Sequence, residues 1–251
     1  MGQRKQRGRG RRSEWLRPRI AERAYGVRLR QVARQVAAIV AGFAPDGVVA
    51  DEALDGIVKA LRGYAELIGP WAESAAGYML ADVSRRNEAT WRTAGEEMAA
   101  PLRQEIRTAP TGALFQRLMA EQVSLIKSLP IDAAERVHAL VTESRSSGER
   151  ASEIAKKILE TGDVTRARAT LIARTESARA SSVLTQARAQ HIGSTHFIWR
   201  TSGDFDVRES HAEIDGHAFR WDAPPKTDNL PAYIAGAGPN CRCWPEPVLP
   251  D

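Results

Sequence analysis

Phe197-Ile198-Trp199-Arg200-Thr201 marks the point at which this chain changes character. Upstream, apolar residues recur at helical spacing. From Ser194 onward short strand-type runs and turns take over, with most of the remaining Pro and Gly. Gly193 sits where a helix would close. Past the tryptophan strand come an acidic turn at Asp204 and Asp206, then His211, the pair Asp215-Gly216, and a closing Pro239-Asn240-Cys241-Arg242-Cys243. This succession predicts an α+β protein, a mainly helical N-terminal region followed by a small strand-rich C-terminal domain. The expected divisions are a flexible basic tail over 1–12, a helical region over 13–145 and a module of helix plus small β domain over 146–251.

The chain has 2 cysteines, and both lie in Cys241-Arg242-Cys243. A disulfide between residues i and i+2 is strained, so the pair does not read as an extracellular staple, and the chain reads as cytoplasmic in origin. Two thiols beside a histidine suit a borderline-soft ion, and the expectation is a structural zinc held by His211, Cys241 and Cys243. Asp204, Asp206 or water would be the fourth ligand. Paired zinc cysteines are usually two to four residues apart. The competing reading makes Asn240, Arg242 and the thiols hydrogen-bonded residues of a terminal strand. Asp215-Gly216 is a favoured centre for a type I′ hairpin, which would pair Ile214 with His217, Ala212 with Phe219 and His211 with Arg220. Strand alternation would then turn His217 toward the core and leave His211 on the opposite face as the functional histidine.

The helical region divides at its breakers. Ser13 is the expected cap of a helix over 14–43, with Leu29, Val32, Val36, Ile39 and Val40 on one stripe. A second helix over 51–68 carries Leu54, Ile57, Leu61, Tyr64 and Leu67. Gly69-Pro70 opens a third that extends toward Thr108 and must kink or split at Pro101. Leu129-Pro130 should separate two short helices, 111–128 and 132–143. Ser144 to Glu149 reads as a polar joint. A short helix over 151–160, a linker at Thr161-Gly162-Asp163 and a long helix over 164–190 complete the pattern. Arg174 and Glu176 on that helix diverge by roughly 200° about its axis, so each needs its own partner. Arg174 is expected to reach Asp204 or Asp206.

Charge is distributed unevenly. Residues 1–34 hold twelve Lys or Arg against two acids, a balance of +10, whereas the rest carries 24 basic and 29 acidic residues, or −5. Arg4, Lys5, Arg7, Arg9, Arg11 and Arg12 make a phosphate-binding head that needs no sequence readout. Gly8 and Gly10 argue against a preformed helix there. No run of eighteen apolar residues suggests a membrane span, and the basic N-terminus lacks the apolar stretch of a secretory signal.

The ordered set Ile172-Ala173-Arg174-Thr175-Glu176, Trp199-Arg200-Thr201, Asp204, Arg208, His211, Asp215-Gly216 and Asn240-Cys241-Arg242-Cys243 resembles the phage Mu protein F-like family of minor head proteins, the phage head morphogenesis domain. The likeness covers roughly the last third of the chain. It implies a minor capsid protein of the virion, at the head interior or portal vertex, made in the host cytoplasm. Portal and capsid or scaffold proteins would be its partners. It also implies that cysteine or histidine ligands fall near these positions. Arg174, Glu176, Asp204, Asp215, Gly216, Asn240 and Arg242 are then expected to act in docking rather than catalysis. The alternative is a metal-dependent nuclease built on Asp204, Asp206, Glu209 and His211, or a toxin delivered with the genome. Toxin fusions add a further domain, and this sequence stops eight residues after Cys243.

Overall fold

The computed structural model describes residues 18–44, 49, 51–94, 109–147 and 151–250. Among the described residues six helices come first: α1 (Arg19–Gly42), α2 (Asp51–Leu67), α3 (Gly69–Ala94), α4 (Gly112–Ser147), α5 (Ala151–Leu159) and α6 (Thr161–His191). Strand β1 (His196–Arg200), a short helix α7 (Glu209–Glu213), β2 (Ala218–Arg220) and β3 (Trp244–Pro247) follow. The protein is α+β, helical first and strand-bearing last. The described residues form two compact units, each discontinuous in sequence. One draws on Ile20–Leu80 and Phe115–Glu176, the other on Ala81–Leu114 and Ser177–Asp251.

The first unit is all helical. Val36 and Val40 of α1, Leu54, Ile57 and Leu61 of α2, Ala133, Val137 and Val141 of α4, and Ala155 and Ile158 of α5 share one apolar core. The α2 stripe continues through Ala65 and Ile68, both buried, while Leu67 is 82% exposed. Steps of four and three residues hold the stripe to one face, and Leu67 lies one residue out of phase. Pro130 lies inside α4 and does not divide it. The proline removes a single backbone donor, and the helix is kept by burial of Ile126, Leu129, Ala133 and Ala134 on either side.

Thr161-Gly162-Asp163 forms the first turn of α6 and not a linker. A Cβ on Gly162 would lie 2.6 Å from that of Ala37, so the glycine is there for close helix approach. Tyr25 donates to Gln122 at 3.1 Å, and Gln122 donates to buried Glu176 at 2.7 Å. Burial and the Glu176 charge both push the Tyr25 phenol far above its ordinary range. Arg174 lies 3.7 Å from Glu22. The cap expected at Ser13, the basic head and the kink at Pro101 lie outside the described residues.

The second unit holds the sheet, ordered β2-β1-β3 and antiparallel throughout. Central β1 pairs Phe197 with Phe219 on one side and Trp199 with Pro245 on the other. Its alternation buries Phe197 and Trp199, which pack with Trp91, Ala189, Ile192, Trp221, Ile234 and both cysteines. Beside this core Asn87 donates to Thr185 at 2.7 Å and accepts from buried Arg188.

Two glycines separate close approach from mere helix occupancy. Gly162→Ala should destabilise the fold by about 1–3 kcal/mol through overpacking. Gly63→Ala in α2, where an added Cβ meets nothing within 4 Å, should be neutral or stabilising by up to about 1 kcal/mol. Denaturant unfolding of the two variants checks the contrast, and equal effects would refute the packing role of Gly162.

Candidate functional site

His211 belongs to a helix, not to a hairpin strand. Residues Glu209 to Glu213 wind into α7, where Arg208 O accepts from both His211 N and Ala212 N at 3.0 Å. Asp215-Gly216 still forms a turn, with His217 N donating to Ile214 O at 3.1 Å. Gly216 has φ 85°, but Asp215 is not left-handed, as a type I′ turn would require. The strand leaving the turn pairs with β1 instead of with 211–214. Helical winding reverses the expected faces: His211 is 2% exposed, and His217 is exposed on the surface.

Burial brings His211 onto the two cysteines. Its Nδ1 lies 3.7 Å from Cys241 Sγ and 3.4 Å from Cys243 Sγ. These three are the His/Cys/Asp/Glu cluster of metal-ligand type among the described residues. The one-residue gap is what lets both thiols take part, because side chains alternate along extended chain. Cys241 and Cys243 turn inward, and Arg242 turns outward. Asn240, with φ 53°, supplies the left-handed step just before this segment. Gly236 lets its loop close over the segment, since a Cβ there would fall 2.7 Å from Cys243 O.

The far side of the imidazole is equally defined. Nε2 lies 3.0 Å from Asp228 Oδ2, 3.0 Å from Tyr233 OH and 3.2 Å from Thr227 Oγ1. Asp228 is held in turn by Ser210 and, at 3.2 Å, by Arg208. Burial opposes the Asp228 charge, but Ser210, His211 and Arg208 outweigh it and keep the carboxyl below its ordinary range. The Trp199 ring meets His211 edge-on at 5.0 Å. Its indole N–H makes no full hydrogen bond, yet it lies near enough to favour a thiolate at Cys243. Between the sulfurs, the contact from Cys243 is the main influence holding Cys241 toward thiolate, with His211 adding to it, while the same contact and burial push Cys243 upward. A buried, ionisable S₂N set of this kind is chemically suited to a borderline-soft divalent ion.

The remaining sequence candidates separate into distinct contacts. Arg242, not Arg174, grips the acidic turn, at 3.1 Å from Asp204 and 2.5 Å from Asp206. Loss of hydration works against the Asp204 charge, and the adjoining Ser202 together with the hydrogen bond from Arg242 overcomes it, so its carboxyl is lowered. Asp215 accepts from Thr201 N at 3.0 Å, and Gly216 N donates to Trp199 O at 2.8 Å. Glu209 points to solvent. Sequence reading missed Asp228, Tyr233 and Thr227. They lie in the run from Pro224 to Tyr233, where nothing in the spacing announces a histidine partner.

Residues 135–245 match the family described as Phage Mu protein F like protein. The matched segment contains α6, β1, α7, β2 and both cysteines, and the family points to phage head morphogenesis. An uncharacterized protein of Haemophilus influenzae is 37% identical over 132 residues, 53% of this chain and 29% of that protein. The chain thus spans less than a third of that relative's length. No solved structure matches the chain.

Aromatic packing should outweigh the surface ion pairs in this unit. Trp199→Ala should cost about 3–5 kcal/mol, whereas Arg242→Gln should cost clearly less because its pairs are partly solvated. The Arg242 effect should also depend on pH. Since the folded Asp204 carboxyl is lowered, its contribution is complete above the unfolded carboxylate pKa of about 3.9 and is lost as pH falls through the folded value. Wild type and Arg242→Gln should therefore converge in stability in acid. A difference that persists there would show that Arg242 acts through packing alone.

Proposed function

We propose that this chain, whose residues 135–245 match the phage Mu protein F-like family, is a phage minor head protein that works by binding rather than by catalysis. The family match is the observation that carries this reading. Within it, the protein joins the procapsid at the portal vertex, with portal and capsid or scaffold proteins as partners. Its basic head, Arg4 to Arg12, contacts packaged DNA through phosphates. No described helix is long and apolar enough to cross a membrane. The nuclease alternative needs Asp204, Asp206, Glu209 and His211 around one metal. Arg242 instead neutralises the two aspartates, and Glu209 is exposed while His211 is buried.

Two measurements test the parts separately. Heads and procapsids isolated from producing cells should contain the chain by mass spectrometry, and labelled antibody should mark one vertex. Heads assembled in its presence but free of it would refute the head reading. For DNA, the affinity of the full chain for random duplex should fall steeply with salt, the logarithmic slope easing by about 0.9 for each phosphate contact removed. Replacing Arg4, Lys5, Arg7, Arg9, Arg11 and Arg12 by Ala should abolish most of that slope. An unchanged slope would assign DNA contact to another surface.

A further inference from the structure

His211 Nδ1 faces two sulfurs at once, at 3.7 and 3.4 Å. An imidazole nitrogen has one hydrogen-bonding direction, either a lone pair or an N–H, so it cannot bond fully to both. The opposite nitrogen faces Asp228 and Tyr233 at 3.0 Å each and Thr227 at 3.2 Å, contacts that fix the ring and aim Nδ1 between the two thiols. One ion placed among the three atoms would satisfy all of them together.

The spacing is that of a tetrahedral edge. Zinc–sulfur and zinc–imidazole bonds of about 2.3 and 2.05 Å at a tetrahedral angle put nitrogen and sulfur roughly 3.6 Å apart. Both observed separations fall within about 0.2 Å of that value. All three ligand atoms lie within 4.8 Å of one another. We infer that His211 Nδ1, Cys241 Sγ and Cys243 Sγ bind one zinc ion, with Asp228 as the positioning residue on His211 and water in the fourth place.

The role of this site is structural. Its protein ligands are each 2% exposed or less, which leaves no approach for a polymeric substrate. The ion joins α7 to the segment entering β3 across 30 and 32 residues of chain. Binding therefore contributes directly to folding of the unit. Asp228 completes the carboxylate–histidine–metal arrangement that fixes the ring and raises ligand basicity. Tyr233 and Thr227, hydrogen-bonded to each other at 2.7 Å, line the same side. The inference stands on residue geometry and is independent of the head-protein reading.

The test uses the full chain, purified reduced and without chelator. Elemental analysis should give about one zinc per chain, and Cys241→Ser/Cys243→Ser should give none. Because that variant could fail to fold, the wild-type chain is also stripped with a chelator and titrated with Co²⁺. Thiolate-to-cobalt charge-transfer absorption with intense tetrahedral d–d bands is expected. Asp228→Asn should keep the cobalt spectrum and weaken zinc affinity about 10–100-fold. Zinc retained by the double serine variant, or a cobalt spectrum without thiolate charge transfer, overturns the site. So does metal-free native protein whose cysteines form a Cys241–Cys243 disulfide. Asp228→Asn with unchanged affinity removes Asp228 from the positioning role.

Discussion

β1 has five residues, and β2 and β3 have three and four, so backbone pairing alone would leave this sheet marginal. What fixes it is the burial of Phe197 and Trp199, the two inward side chains of the strand that is paired on both edges. Rings of Phe219 and Trp221 pack on Phe197 at 6.0 and 4.7 Å, and Trp199 meets Phe219, Tyr233 and His211. Aromatic side chains each remove a large area from water, enough to hold a short strand against fraying. Part of the candidate site takes its place from this strand. Trp199 backs His211, its backbone anchors Gly216, and Arg200 pairs with Trp244 directly after Cys243.

Around that strand the chain is positioned by small devices rather than by long elements. Gly236 admits the Cys243 carbonyl, Gly238 lies under the Tyr233 ring, and Asn240 turns left-handed before the first thiol. Alternation then gives Cys-Arg-Cys two functions in three residues. The sulfurs face the aromatic core, and the guanidinium clamps Asp204 and Asp206 on the outside. Arg208 works similarly at the other edge, donating to Pro239 O at 2.7 Å while pairing with Asp228.

The α+β division and most helices were legible because each long helix repeats its apolar residues over many turns. Breakers were less informative, since their cost is local and burial elsewhere overrides it. Pro130 loses one hydrogen bond in a helix held by buried neighbours, and Gly162 serves helix contact rather than chain reversal. At the site, Cys241, Cys243 and His211 stood out by residue type alone. Their surroundings did not, because Glu209 to Glu213 is too short to show a period, and Asp215-Gly216 looks alike in a hairpin and in a helix-to-strand turn. Asp228 was invisible because its role depends on an approach across 17 residues of chain.

Two states of the buried thiols compete in energy, and the second side of His211 distinguishes them. Cysteine buries readily as a small apolar residue, so two unliganded thiols in this core would cost little. That alone would explain their burial without an ion. It would not explain why the other ring nitrogen of His211 is enclosed by Asp228 at 3.0 Å, Tyr233 at 3.0 Å and Thr227 at 3.2 Å. Those contacts fix the ring plane, and with it the direction of Nδ1 toward Cys241 and Cys243. The surroundings of the ring are thus organised for Nδ1, and the group that profits from a nitrogen fixed between two sulfurs is a cation.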